Sequence, residues 1–220
     1  MTTSRKSIDR CAVLFAALIL STTACKTREV GSSPSVDGEL VFSDDFERDG
    51  VGPSWERGTG EGGQGHWTIR EGRLHASGLR NDPLWYVEEL PEKVRVEFDA
   101  EALSTAGDLK VEMFGDGETH ATGYIFIFGG WNNSLDVIAR LDEHGKDRLE
   151  QPARKAERGR NYAMAIERRG GDDIKWFVDG KLFMTYSDDA PLRGEGHRHF
   201  AFNNWNAPVA FDNFRVFELP

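Results

Sequence analysis

From Leu40 onward the sequence is a succession of short alternating or apolar runs separated by Gly, Asp and Asn. Between Val94 and Glu101, the apolar Val94, Val96, Phe98 and Ala100 alternate with Arg95, Glu97, Asp99 and Glu101. A period of two predicts a strand with one core face and one wet or functional face. Tyr124 to Phe128 is continuously apolar, which predicts a strand covered on both sides. Leu135 to Leu141, Tyr162 to Arg168 and Phe200 to Asn203 are further strand candidates. Ile174 to Val178 and Lys181 to Tyr186 flank Asp179-Gly180, a two-residue turn signal that predicts a hairpin. No segment makes a convincing amphipathic helix of three turns; the one competitor, Ala153 to Arg160, is short, charged and interrupted by Gly159.

The first 25 residues follow a different pattern. Arg5, Lys6 and Arg10 precede an apolar run from Cys11 to Leu20, and the small residues Ser21-Thr22-Thr23-Ala24 lead to Cys25. This is the three-part layout of a secretory signal. Ten residues rise only about 15 Å as a helix, roughly half the hydrocarbon thickness, too short to span a bilayer. Lys26 to Gly38 is polar and rich in Ser, Gly and Pro, which predicts a flexible tether. The expected organisation is therefore a leader over 1–24, a tether over 25–38 and one all-β domain over 39–220, built as a two-sheet antiparallel jelly-roll sandwich.

Two resemblances sharpen this reading. Ala24-Cys25 after the apolar run resembles the lipobox of bacterial lipoproteins, which implies lipidation of Cys25 and attachment to the cell envelope. Lys26, in place of an inner-membrane retention aspartate, implies the outer membrane. Four further segments span the remaining domain: Phe42-Ser43-Asp44-Asp45-Phe46, His66 to Leu74, Trp176 to Lys181 and Phe211 to Val216. Together they resemble the concanavalin A-like lectin/glucanase sandwiches, and more narrowly the domains related to 3-keto-disaccharide hydrolases. Such motifs specify fold better than function.

Two segments echo each other: Gly130-Trp131-Asn132-Asn133 and Asn203-Asn204-Trp205. Indoles stack on the C–H faces of sugars while amides both donate to and accept from hydroxyls, so Trp131, Asn132, Asn133, Asn203, Asn204 and Trp205 form a candidate glycan site. Asn also builds turns and Trp fills cores, so the same residues have a purely structural use. Glu97, Asp99 and Glu101 share one strand face and resemble the E-x-D-x-E strand of laminarinase-type glycoside hydrolases. That resemblance implies Glu97 as nucleophile, Glu101 as acid/base and Asp99 as their modulator. A solvated acidic face is the alternative. Asp44, Asp45 and Asp212 would meet if the terminal strands pair, and could hold a structural calcium ion; no other cofactor is expected. In Asp142-Glu143-His144-Gly145 the imidazole beside carboxylates suits a base or a ligand, though a solvated turn is the commoner use, and His197 and His199 share a strand side but lack a third ligand for zinc.

Composition changes the picture in two respects. The only cysteines are Cys11 and Cys25, so the domain beyond the leader has no disulfide and must rest on a hydrophobic core. The formal charge is −10, and loss of the leader, with three cations and one anion, makes it more negative, which argues against nucleic acid as a partner. The expected function is non-catalytic glycan or polysaccharide binding by a membrane-anchored exported lipoprotein. A glycoside hydrolase of the same fold and a structural envelope protein without ligand are the alternatives. The anchor is testable: labelled fatty acid should be incorporated into the wild type and not into Cys25→Ser, which should leave the membrane fraction or remain unprocessed. Absence of label in the wild type contradicts the anchor.

Overall fold

The computed structural model describes Met1 and residues 36–220. The chain divides into two units, Met1–Ser32 and Ser33–Pro220, and the account below concerns the second. The leader, Cys25 and nearly all of the tether lie outside the described residues.

Fifteen strands follow one another: β1 (Glu39–Asp44), β2 (Trp55–Arg57), β3 (Thr68–Arg70), β4 (Arg73–Ala76), β5 (Leu84–Tyr86), β6 (Val94–Ala102), β7 (Leu109–Gly115), β8 (Tyr124–Gly129), β9 (Leu135–Arg140), β10 (Leu149–Pro152), β11 (Asn161–Arg168), β12 (Asp173–Val178), β13 (Lys181–Ser187), β14 (His199–Asn203) and β15 (Val209–Glu218). They form two antiparallel sheets, one with the order β13-β12-β11-β6-β15-β4-β3 plus β1 on β15, the other with the order β10-β9-β8-β7-β14-β5-β2. This is the jelly-roll sandwich expected from the strand pattern.

The alternation in β6 has the predicted consequence: Val94, Val96, Phe98, Ala100 and Ala102 enter the core. Asp179 and Gly180 both have positive φ, 52° and 72°, the geometry whose twist matches a two-residue hairpin between β12 and β13. The first and last strands pair, with Asp44 opposite Phe214. No helix forms over 153–160, where Pro152 ends β10 and the chain runs irregularly to β11.

Aromatic rings fill the gap between the sheets. Phe202 of β14 stacks on Phe211 of β15 with centroids 4.5 Å apart, Phe98 meets Phe202 edge-on at 5.6 Å, and Trp55 meets Phe214 at 5.0 Å. Such contacts add to the area term when rings are offset or perpendicular. Asp44 fastens one edge of this core. Its carboxylate accepts from the Trp55 indole N–H (2.8 Å), the Phe46 amide (2.9 Å) and Arg48. Burial alone would raise its pKa; the bonds from Arg48, Trp55 and Phe46 outweigh burial and hold it below the ordinary 3.8.

A depressed folded-state pKa contributes stability above the unfolded value and loses it as pH falls through the folded one. Urea melts of the wild type should therefore weaken below about pH 4. Asp44→Asn should be less stable than wild type at pH 7 and show a shallower loss on acidification. Equal acid dependence in the two proteins would contradict the linkage. Phe202→Ala, which empties the centre of the ring stack, should cost about 3–5 kcal/mol.

Candidate functional site

β7 is the middle strand of the seven-stranded sheet. Leu109, Val111 and Met113 enter the main core, so Lys110 and Glu112 point to the opposite face. On that outer face Ile125 and Ile127 of β8 pack with Val137 and Ala139 of β9, forming a second apolar cluster beside the polar row. Every residue of β8 is thereby buried, as the unbroken apolar run predicts.

Lys110 and Glu112 are 2% and 0% exposed, and an ionised group so placed needs partners. Lys110 Nζ donates to Asn81 Oδ1 (2.9 Å) and Glu143 Oε2 (2.7 Å). Glu112 accepts from the Ala121 amide (2.9 Å) and Asn203 Nδ2, and meets His120 Nδ1 at 2.7 Å. Asn81 Nδ2 also reaches Glu61 Oε1 at 3.2 Å. Asn203 comes from the neighbouring strand β14, and the other partners come from loops that lie across the sheet. The segment carrying Glu61 packs backbone to backbone on the chain beneath it, and a Cβ on Gly60 would stand 1.6 Å from the Asn81 carbonyl oxygen. The loop after β9 returns to place Glu143 on Lys110 and the Arg148 guanidinium 4.9 Å from the Trp131 ring centre.

Between these loops a cavity of about 610 Å³ remains, lined by residues that include Trp131, Trp205, Asp108, Lys110, Glu143 and His144. The Trp131 side is set by a left-handed turn, Gly130–Asn133, in which Trp131, Asn132 and Asn133 have φ of 48°, 57° and 63°. Asn133 pins it from inside: Nδ2 donates to the Thr105 and Ala156 carbonyls (3.1 and 2.9 Å), and Oδ1 accepts the Ala156 amide (2.7 Å). On the other side Asp108 Oδ2 accepts the Trp205 amide (2.9 Å). His144 meets the Trp131 ring edge-on at 5.7 Å.

The electrostatics differ within the cavity. Burial pushes the Asp108 carboxyl up, opposed by the Lys110 charge and the Trp205 N–H. Burial also acts on Glu143, but the charge and hydrogen bond of Lys110 prevail and hold it below its ordinary value.

The six residues of the expected glycan site divide by role. Trp131, Asn132 and Trp205 line the cavity. Asn133 holds the turn, Asn204 is fully buried and donates to the Ala207 carbonyl (2.6 Å), and Asn203 is fully buried against Glu112. Asp108 and Lys110 were not among the candidates, although Leu109, Val111 and Met113 alternating with Lys110 and Glu112 mark this strand in the sequence.

Glu97, Asp99 and Glu101 lie elsewhere, on the outer face of the eight-stranded sheet. Glu97 is bound by Arg95 (2.8 Å) and Arg215 (2.9 Å), Asp99 accepts from Asn213 Nδ2 (2.9 Å), and Glu101 pairs with Arg73. For Asp44, Asp45 and Asp212, the terminal strands do meet, but Asp44 is taken by Arg48 and Trp55, and Arg73 Nε stands 3.9 Å from Asp212. Among the described residues no group of three or more His, Cys, Asp or Glu is arranged to hold a metal ion. None of their helices is long and apolar enough to cross a membrane.

A two-sheet antiparallel sandwich of this order is a concanavalin A-like fold, the fold of the carbohydrate-binding module and glucanase structures it superposes on. No protein-family model matches the sequence. Among solved structures, the carbohydrate binding module CBM66 from Bacillus subtilis superposes with a TM-score of 0.58 at 16% identity, over 75% of this chain and 96% of the module. The laminarinase from Rhodothermus marinus superposes at 0.56 with 18% identity, over 82% and 97%. A curated relative, the extracellular exo-alpha-L-arabinofuranosidase of Streptomyces chartreusis, is 26% identical over 165 residues, 71% of this chain. The match spans only 18% of that enzyme's length.

The turn at Trp131 makes a stability prediction. A non-glycine residue in the left-handed region costs about 1–2 kcal/mol, and glycine escapes most of it. Trp131→Gly should therefore be more stable than Trp131→Ala by about 1 kcal/mol in urea melts. The reverse order would show that the turn relaxes when the indole is removed.

Proposed function

We propose that this protein is an exported, membrane-anchored lipoprotein whose sandwich domain binds a glycan, without cleaving it, in the cavity between Trp131 and Trp205. One observation carries the reading. Of six tryptophans, Trp55, Trp67, Trp85 and Trp176 are buried, while the two left partly wet, Trp131 and Trp205, are the two that line the cavity.

A sugar suits such a site chemically. Its C–H faces withdraw indole surface from water at about 25 cal/mol per Å². Its hydroxyls pair with carboxylates, amides and ammonium groups already fixed by their neighbours, so little ordering cost remains at binding. Asp108, Lys110 and Glu143 supply those groups, and Asn132 adds an amide on the cavity wall. The names of the similar proteins agree with a glycan-related role, and the word extracellular in the relative's name agrees with the leader read from residues 1–24. The acidic composition disfavours nucleic acid. The hydrolase alternative built on Glu97 and Glu101 would need a second site, since both lie on the outer face of the other sheet and neither lines this cavity.

A glycan array probed with the domain, followed by isothermal titration and reducing-sugar assays on each hit, tests the proposal. Trp131→Ala and Trp205→Ala should each weaken binding about tenfold or more, the scale of a 1.4 kcal/mol contact. Trp205→Ala should leave the melting temperature nearly unchanged. Glycan cleavage by the wild type would replace the binding proposal with a hydrolase, and its loss in Glu97→Gln and Glu101→Gln, with the fold intact, would assign the chemistry to β6.

A further inference from the structure

Asp108 has hydrogen-bonding capacity that the protein does not use. The residue is only 8% exposed and lines the cavity. Its Oδ2 accepts the Trp205 amide, while no donor among the described residues reaches Oδ1. A carboxylate offers about four acceptor positions, and Oδ1, open to the cavity, keeps its own for whatever fills that space. Lys110 is the nearby cation, two residues along the chain, but its ammonium is turned to Asn81 and Glu143 and acts on Asp108 only through space. The carboxyl group thus stands beside the exposed indole of Trp205 with one oxygen to offer a ligand.

The charges around it restrict what that ligand can be. Glu61, Asp108 and Glu143 line the cavity against the single ammonium of Lys110. Arg148, behind Trp131, is committed elsewhere: Nη1 donates to the Glu143 carbonyl (2.8 Å) and Nη2 pairs with Glu150 (2.6 Å). A ligand carboxylate or sulfate seated here would be stripped of water next to like charges and would find no unpaired guanidinium among the lining residues.

We propose that Asp108 determines the specificity of this cavity, selecting a sugar unit without negative charge by accepting a ligand hydroxyl on Oδ1 while the Trp205 amide holds Oδ2. The proposal rests on the glycan-binding reading of the same site. It makes Asp108 both an anchor, through a charge-assisted hydrogen bond, and a filter against uronate and sulfated sugars.

The test uses the mature protein and two sets of probes: neutral glucans, arabinans and fructans, and the anionic polymers polygalacturonate, alginate and carrageenan. The wild type should bind at least one neutral polymer and bind every anionic one at least about tenfold more weakly. Asp108→Asn keeps an acceptor for the Trp205 amide but loses the charge. It should weaken neutral binding by about 10- to 100-fold, as for a hydrogen bond to a charged group. It should also narrow the gap between the two sets without lowering the melting temperature. If that variant does not fold, Asp108→Glu serves: it should weaken neutral binding yet still reject the anionic polymers. Neutral binding that neither substitution weakens, or anionic polymers bound as tightly by the wild type, overturns the proposal while the glycan-binding reading stands. Failure of the wild type to bind any glycan overturns both.

Discussion

Lys110 and Glu112 stand on the middle strand of the seven-stranded sheet, on the face turned away from the aromatic core, and both are almost wholly excluded from water. Leaving either without a partner would cost several kcal/mol. The structure meets that constraint partly within the sheet, where Asn203 of β14 reaches Glu112, and partly by drawing loops over it: Glu143 and Asn81 reach Lys110, and His120 and the Ala121 amide reach Glu112. The cavity is the space these loops leave uncovered. On the sheet face beneath it, Lys110 and Glu112 are already committed to neighbours.

The same economy explains the strained segment. Trp131 stands partly clear of the core, yet a strand of continuous apolar residues leads directly to it. Three successive non-glycine residues in the left-handed region turn the chain outward after β8, and Asn133 holds the turn through three hydrogen bonds. Strain of this kind persists where surrounding contacts over-determine it, and it gathers at sites of recognition. On the Trp205 side the Asp108 carboxylate fixes the backbone directly, and Asp108 and Asn206 also have positive φ, 67° and 60°.

Much of the architecture was legible in the sequence because the core enforces a period of two. β6, β8, β9, β11, β14 and the β12–β13 hairpin stand where alternation, apolar runs and Asp179-Gly180 predict them. β7 carries the same alternation, Leu109, Val111 and Met113 against Lys110 and Glu112, but was not singled out, and no spacing reveals that Glu143 and His120 cover its charged face. The site was legible in part for the same reason. Tryptophan and asparagine advertise themselves in a sequence, but the separation of Trp131, Asn132 and Trp205 from the structural Asn133 and Asn204 depends on which side of a left-handed turn or a strand end each occupies. The row Glu97, Asp99 and Glu101 shows the converse. Its spacing is compatible with catalysis, yet its location, with Arg73, Arg95 and Arg215 as partners, follows from sheet order, which spacing cannot reveal.

The central claim is that the two partly wet indoles face one ligand. The six indole N–H resonances of the domain provide a direct measurement when followed during titration with a neutral oligosaccharide that the protein binds. The account predicts that the signals of Trp131 and Trp205 shift together along one saturation curve, while those of Trp55, Trp67, Trp85 and Trp176 stay in place. Saturation that leaves either Trp131 or Trp205 unmoved, or that shifts the buried indoles instead, would contradict it.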